Sequence, residues 1–307
     1  MTWSADDIPD LSGTVAVITG ANGGLGLASA TAMAGRGAHV VMAARDQAKA
    51  AAAHAEILTA HPDASLEIVE IDLSSQASVE AAAATIGAAH DRIDVLMCNA
   101  GVMATPQRIT EDGFDEQFAV NVLGHWTLIG RLLPVVVATR GARVVTLSST
   151  AQHVGRAVDV DDPHMRDGYD AWRMYGQTKL AMRHLAVGLQ RRFERAGVDA
   201  SALSAQPGLT DSDLQTTTAL SGAGGILGAA SVQWARWTGM SPEQGALSQL
   251  RAATDLDAPG GGFYGPLFVT NGPPVRKPLI RPGSDGAIEA LWDVAERETG
   301  VVIDLDD

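Results

Sequence analysis

Cysteine occurs once in the 307 residues, at Cys98. A lone cysteine closes no disulfide within the chain and builds no cysteine zinc site. The eight histidines show neither HExxH nor HxH spacing, so no metal is expected from motif. Positive charge is in deficit: the net charge of −14 argues against a nucleic-acid-binding surface. The acid clusters only at the end, Asp304 to Asp307, and reads as solubility. Met1 to Asp10 has neither a basic n-region nor an apolar h-region. No run reaches the length of a membrane span; the most apolar candidate, Leu220 to Trp234, is broken by Gly222, Gly224, Gly225 and Gly228. Charged residues are 19%, too few for a disordered chain, and 46% hydrophobic residues suffice for a full core. The expectation is a cytoplasmic protein in a reducing compartment, built as a single domain over 1–307.

Tyrosine and lysine are also scarce. The tyrosines are Tyr169, Tyr175 and Tyr264, and the lysines are Lys49, Lys179 and Lys277. Chance would place about 0.03 such pairs four residues apart, yet Tyr175 and Lys179 are so spaced. On a helix they share a face, one turn apart. An ammonium there favours the phenolate and moves a pKa of about 10 toward the range of a general acid or base.

The rest of the chain alternates strand and helix patterns from Thr14 to about Ser204. A β-branched run, Thr14 to Thr19, meets Gly20-Ala21-Asn22-Gly23-Gly24-Leu25-Gly26, and a helical pattern follows. Strand, glycine turn and helix N-terminus together form a phosphate cradle. Ala38 to Ala44 is the second strand and Leu66 to Leu73 the third. Ile93 to Cys98 is a buried strand ending in Asn99-Ala100-Gly101. Phe114 to Leu133 has helical spacing and carries Asn121, a poor mid-helix residue unless it bonds something. Arg143 to Leu147 leads into Ser148-Ser149. Asp170 to Ala196 is the longest amphipathic pattern, and Gly197 ends it. Val198 to Ser204 runs into Pro207-Gly208-Leu209-Thr210. Gln244 to Thr254 and Glu289 to Thr299 read as helices, and Gly260 to Pro266 as a turn before a last short strand.

The glycine turn, Asn-Ala-Gly, the serine pair, Tyr-x-x-x-Lys and Pro-Gly stand in the order seen in the short-chain dehydrogenase/reductase family, which the chain resembles over nearly its whole length. The alternation of strands and helices predicts a doubly wound α/β fold with a mostly parallel sheet, and the resemblance implies the same fold, of Rossmann type with helices on both faces. It implies catalysis by Asn121, Ser149, Tyr175 and Lys179. Ser149, with Ser148 as the alternative, would hydrogen-bond the substrate oxygen; Tyr175 would exchange the proton; Lys179 would also bind the nicotinamide ribose; Asn121 would hold a relay water. The cofactor would contact Gly20, Asn22, Gly24, Leu25 and Gly26 in the first turn. Asp72 and Leu73 would meet the adenine, and Asn99, Ala100 and Gly101 would let the backbone pass close. Pro207, Gly208, Leu209 and Ser212 would contact the nicotinamide side, with Thr210 competing for the place of Ser212.

At the end of the second strand Ala44 leaves room for a 2′-phosphate and Arg45 supplies a forked cation, which favours NADP(H) over NAD(H), although Asp46 could turn toward the ribose. Ser149 and Tyr175 are 26 residues apart. The polar segment 152–172 between them reads as an insertion over the site, similar to the retinol-dehydrogenase-like branch. The glycine-hinged apolar segment 213–240 reads as a lid and implies a hydrophobic carbonyl or alcohol substrate. A redox-sensing nucleotide binder without turnover, and a double-bond-reducing relative, are the other readings. Helix surfaces near Phe114 and Leu185 are candidates for a homodimer.

Overall fold

The computed structural model describes residues 2–210, 240–278 and 285–305. Ser212 and nearly all of the 213–240 segment lie outside the described residues. Strands β1 (Val15–Thr19), β2 (His39–Ala44), β3 (Ser65–Glu70), β4 (Val95–Cys98), β5 (Ala142–Leu147), β6 (Ala200–Ala205), β7 (Phe263–Pro266) and β8 (Pro274–Lys277) form one sheet. Their order is β3-β2-β1-β4-β5-β6-β7-β8; β1 to β7 run parallel and β8 is antiparallel. The chain thus works outward from β1 to the β3 edge, then crosses back to lay β4 on β1's other side. That reversal opens a crevice above the carboxyl ends of β1 and β4.

The strands are near-continuous apolar runs because helices cover both faces. Val17, Val41, Leu96 and Val144 face one core; Ile18, Met42, Met97 and Val145 face the other. This is the period of two expected of a pleated strand. The first core holds α3 (Gln76–Ala89), α4 (Glu116–Phe118), α5 (Gly124–Ala138), α6 (Ala171–Ala196) and α8 (Asp285–Thr299); the second holds α1 (Gly24–Ala34), α2 (Gln47–Ala60) and α7 (Pro242–Thr254).

Two expectations are corrected. Gly260 to Pro266 is not only a turn: Phe263–Pro266 is β7, parallel to β6, with Tyr264 buried over the second core. Pro266 is tolerated there because it lies at the strand's end, opposite Pro274. Secondly, Glu116–Ala138 is a helical rod of 23 residues, long and apolar enough to cross a membrane, although no single run stands out in the sequence. Inside the fold 72% of its most apolar window is buried, so its apolar character is that of a core helix. Phe114 and Leu185 themselves are buried within the chain. The chain's own C-terminal helix covers α6, with Trp292 packed over Gly188.

The 152–172 insertion packs by Val158, Met165 and Tyr169 against the first core. Gln177 Nε2 donates to Pro163 O at 2.9 Å, and His164 Nε2 lies 3.3 Å from Glu298 of α8. The insertion is therefore fastened to α4, α6 and α8, and none of it lines the groove described next.

Candidate active site

A groove of about 380 Å³ runs along the carboxyl ends of β1 to β4. Gly20, Asn22, Gly24 and Leu25 line it from the first turn. Gly20 and Gly24 have φ of 68° and 51°, in the left-handed region. Gly26 lies behind them, and a Cβ there would run into Gly20 O. The glycines thus let α1 start directly under the turn. No side chain caps the α1 N-terminus, so its first N–H groups and its positive end remain for an anion. A dinucleotide pyrophosphate fits this cradle.

Arg45 and Lys49 flank the groove's outer end, with Asp72 and Leu73 beside them. Arg45 is 67% exposed at its side chain and lies 3.6 Å from Asp72 Oδ2. Asp72 Oδ1 accepts from the backbone N–H and hydroxyl of Ser74. Asp46 lines this end of the groove too, while its Oδ1 caps α2, accepting from Lys49 N at 3.0 Å. Arg45 and Lys49 thus share this end with the carboxylates of Asp46 and Asp72. Lys49 was not singled out from sequence; its signal is a second cation one turn after Arg45.

At the inner end, Asn99, Ala100 and Gly101 line the groove. Asn99 also latches the loop after β4 onto β1. Its Nδ2 donates to Thr19 O at 2.8 Å, and its Oδ1 accepts from Gln249 of α7 at 3.1 Å. Thr19 Oγ1 accepts N–H from Asn99 and Ala100 at 2.9 and 3.0 Å. Both its lone pairs are then used, so its proton goes outward, to His125 Nε2 at 2.9 Å, the nearer of two acceptors, with Met97 O at 3.4 Å. His125 Nδ1–H consequently donates to Asn121 O at 3.2 Å. Burial lowers the His125 pKa to about 4, so the imidazole is neutral, as this network needs. Thr19, His125 and Gln249 were missed from sequence. His125, four residues after Asn121 on one helix face, was detectable; Gln249 reaches across 150 residues and had no local signal.

Asn121 sits in a π turn, Ala119–Leu123, between α4 and α5. Its Oδ1 accepts from Val102 N at 2.8 Å. Its Nδ2 donates to Val102 O at 2.9 Å and to Thr178 Oγ1 at 3.0 Å. The amide therefore clamps the loop after β4 to α6. A Cβ on Gly101 would lie 2.9 Å from Asn121 Oδ1 and 3.3 Å from Lys179 Nζ, so Gly101 separates these two side chains.

The serine pair divides its work. Ser148 Oγ donates to Lys179 O at 2.7 Å and is buried. Ser149 starts a 3₁₀ turn, Thr150–His153, and its hydroxyl faces the Tyr175 phenol. The geometry thus leaves Ser149, not Ser148, beside the tyrosine. Tyr175 and Lys179 are each 7% exposed. Lys179 Nζ lies 5.7 Å from the Tyr175 ring centre and donates to Leu147 O at 3.3 Å. The nearby ammonium does not govern the phenol here. Burial raises the Tyr175 pKa, and the Ser149 hydrogen bond only pulls it back in part. Burial also lowers the Lys179 pKa to about 8. At neutral pH the pair is a neutral phenol beside an ammonium. Trp172 stands edge-on to Tyr175 at 6.0 Å and is 44% exposed, a further feature not singled out from sequence.

Pro207, Gly208 and Leu209 follow β6 but do not line the groove. Gly208 has φ of 77°, and Leu209 N donates to Thr270 O at 2.8 Å. Thr210 Oγ1 turns back to Pro207 O at 3.4 Å. Cys98 is fully buried, and burial pushes its thiol up, away from thiolate chemistry.

A profile for the short chain dehydrogenases matches residues 14–221. The chain is 38% identical over 226 residues to short chain dehydrogenase/reductase dpchH of Colletotrichum higginsianum, covering 67% of this chain and 56% of that one. It is 37% identical over 213 residues to human retinol dehydrogenase 13, covering 69% and 63%. It thus spans less than two thirds of the length of either relative. A solved structure of an uncharacterized protein from Mycobacterium paratuberculosis is 34% identical and superposes with a TM-score of 0.80 over 98% of this chain and 99% of that one. With a family profile matched over two thirds of its length and relatives above 30% identity, the chain belongs to the short-chain dehydrogenase/reductase family, in its retinol-dehydrogenase-like branch.

Proposed function

We propose that the protein is an NADP(H)-dependent oxidoreductase that interconverts a hydrophobic ketone or aldehyde with its alcohol. The observation that carries the reading is the Ser149–Tyr175–Lys179 arrangement, which adjoins the groove through Gly101: a Cβ there would lie 3.3 Å from Lys179 Nζ. The nicotinamide, when bound, supplies or accepts the hydride at carbon. In reduction, Ser149 hydrogen-bonds the substrate oxygen and Tyr175 gives it a proton. The raised Tyr175 pKa keeps the phenol in its donating form. The phenolate left behind lies beside the Lys179 ammonium, which stabilises it until it is reprotonated. Asn121 is assigned the relay position next to Lys179, with its amide as the clamp that holds Gly101 and Val102 in place.

Two features support the finer reading. Ala44 leaves space while Arg45 and Lys49 flank the groove, and one oxygen of Asp46 is used in capping α2. Trp172 offers an exposed apolar face against Tyr175, and retinol, in the name of one relative, is a hydrophobic alcohol. The test is NADPH and NADH oxidation with a panel of apolar ketones and aldehydes, and NADP⁺ reduction with the alcohols. Turnover with NADPH preferred is expected, and Tyr175→Phe keeps nucleotide binding while turnover falls by about 10²- to 10⁴-fold. Nucleotide binding without turnover on any partner would leave the redox-sensing reading instead.

A further inference from the structure

We propose a metal site, unrelated to the cofactor groove, in which His39, Glu67 and His90 bind a borderline divalent cation of the zinc type. His39 opens β2, whereas the groove begins at that strand's other end, at Ala43 and Ala44, roughly 16 Å along the strand. Ser65 lies opposite His39 in the β2–β3 ladder and Glu67 opposite Val41. His39, Ser65 and Glu67 therefore share one face of the sheet. It is the α3 face, marked by Val41, and His90 is the residue that ends α3. Three elements thus deliver one ligand each to one point.

The donor atoms all lie within 4.8 Å of one another. His90 Nε2 is 2.8 Å and His39 Nε2 3.5 Å from the same Glu67 oxygen, Oε2. A tetrahedral ion with bonds of about 2.0–2.2 Å separates its ligand atoms by about 3.3–3.6 Å. Small side-chain rotations bring this set to that spacing. His39 is already held for the role: its Nδ1 is 2.7 Å from Ser65 Oγ, the outer contact that orients a ligating imidazole. Its Nε2 is buried and has no hydrogen-bond partner among the described residues. Two imidazoles and one carboxylate suit zinc and its neighbours; calcium and magnesium prefer all-oxygen cages. The three side chains are 14–31% exposed, which leaves an entry path and room for a water as fourth ligand. The site's place in the fold makes it a clamp on β2, β3 and the end of α3, with no part in the redox step.

The test uses the whole chain stripped with chelator, then titrated with Zn²⁺ by calorimetry and with Co²⁺ by visible absorption. One saturable equivalent in the micromolar range or tighter is expected, with tetrahedral cobalt bands displaced by zinc. The melting midpoint should rise by roughly 5 °C at 100-fold excess over Kd. His39→Gln, Glu67→Gln and His90→Gln should each weaken binding at least 10-fold and remove the cobalt bands, with far-UV circular dichroism unchanged to show an intact fold. No saturable binding below millimolar metal would overturn the site. Equally, zinc bound as tightly by folded Glu67→Gln as by the natural chain would place the ion elsewhere and overturn it.

Discussion

Lys179 carries the largest conflict between function and stability at the residue scale. Its folded pKa, about 8, lies below the ordinary 10.5 because burial disfavours the ammonium. The unfolded chain therefore holds more protons between those values, and stability rises with pH across that window. Below pH 8 the full burial cost applies, about 3 kcal/mol. Lys179→Met should consequently melt higher than the natural protein at pH 7, and the gain should shrink toward pH 10, while turnover is lost. Thermal melts at both pH values check this; a less stable Lys179→Met at pH 7 would mean that the Leu147 contact outweighs desolvation. Arg45 works in the other direction. It is exposed and makes only a long contact to Asp72, so Arg45→Ala should leave stability within about 0.5 kcal/mol. Losing its charge-assisted bonds to a 2′-phosphate should weaken NADPH binding by roughly 10- to 100-fold and leave NADH binding nearly untouched. Equal losses for both nucleotides would sink the NADP(H) preference.

At the scale of elements, the longest pattern was also the most legible. Asp170 to Ala196 reads as a helix from its spacing, and α6 spans Ala171–Ala196 with Asp170 accepting from Arg173 N and Gly197 in the left-handed region. Cap chemistry and periodicity agree there, so no tertiary information was needed. The Phe114 region was less legible. Its periodicity starts at Phe114, but Asp115 interrupts: its Oδ1 accepts from the N–H groups of Gln117 and Phe118 and starts the helix at Glu116. Burial raises the Asp115 pKa to about 6 from 3.8. The folded state then holds more protons in that window, so stability falls as pH rises through it, and the burial cost is complete at pH 7. Asp115→Asn keeps the acceptor without the charge and should be as stable as the natural chain or more so at pH 7. Asp115→Ala should lose about 1–2 kcal/mol with the cap. Denaturant midpoints for the two variants decide it; equal destabilisation by both would show that the charge itself is needed.

Across the whole molecule, the last described residues act as a bolt on the first core. Val301 and Ile303 are buried, and Trp126 Nε1 donates to Val301 O at 2.8 Å while its ring meets Trp292 edge-on at 4.9 Å. Burying two β-branched side chains and one hydrogen bond amounts to about 4–6 kcal/mol. Removing 300–307 should therefore lower the melting midpoint by on the order of 10 °C. A truncated chain that melts like the full one would show the tail to be dispensable.

Local chemistry alone determined the strand–glycine-turn–helix unit, the long tyrosine–lysine helix and the type of fold. Each depends on spacing between near neighbours, where period, caps and glycine conformations act directly. Only the tertiary structure decided that Ser149 and not Ser148 faces Tyr175, since Ser148 is taken by the Lys179 carbonyl. It also decided that burial, not the neighbouring ammonium, sets the Tyr175 pKa. His39, Glu67 and His90, with no metal spacing in sequence, meet only because a parallel register and a helix end bring them together. Hydrogen bonds and desolvation depend on which groups share a volume, and residues far apart in the chain come to share one only through the packing of strands and helices.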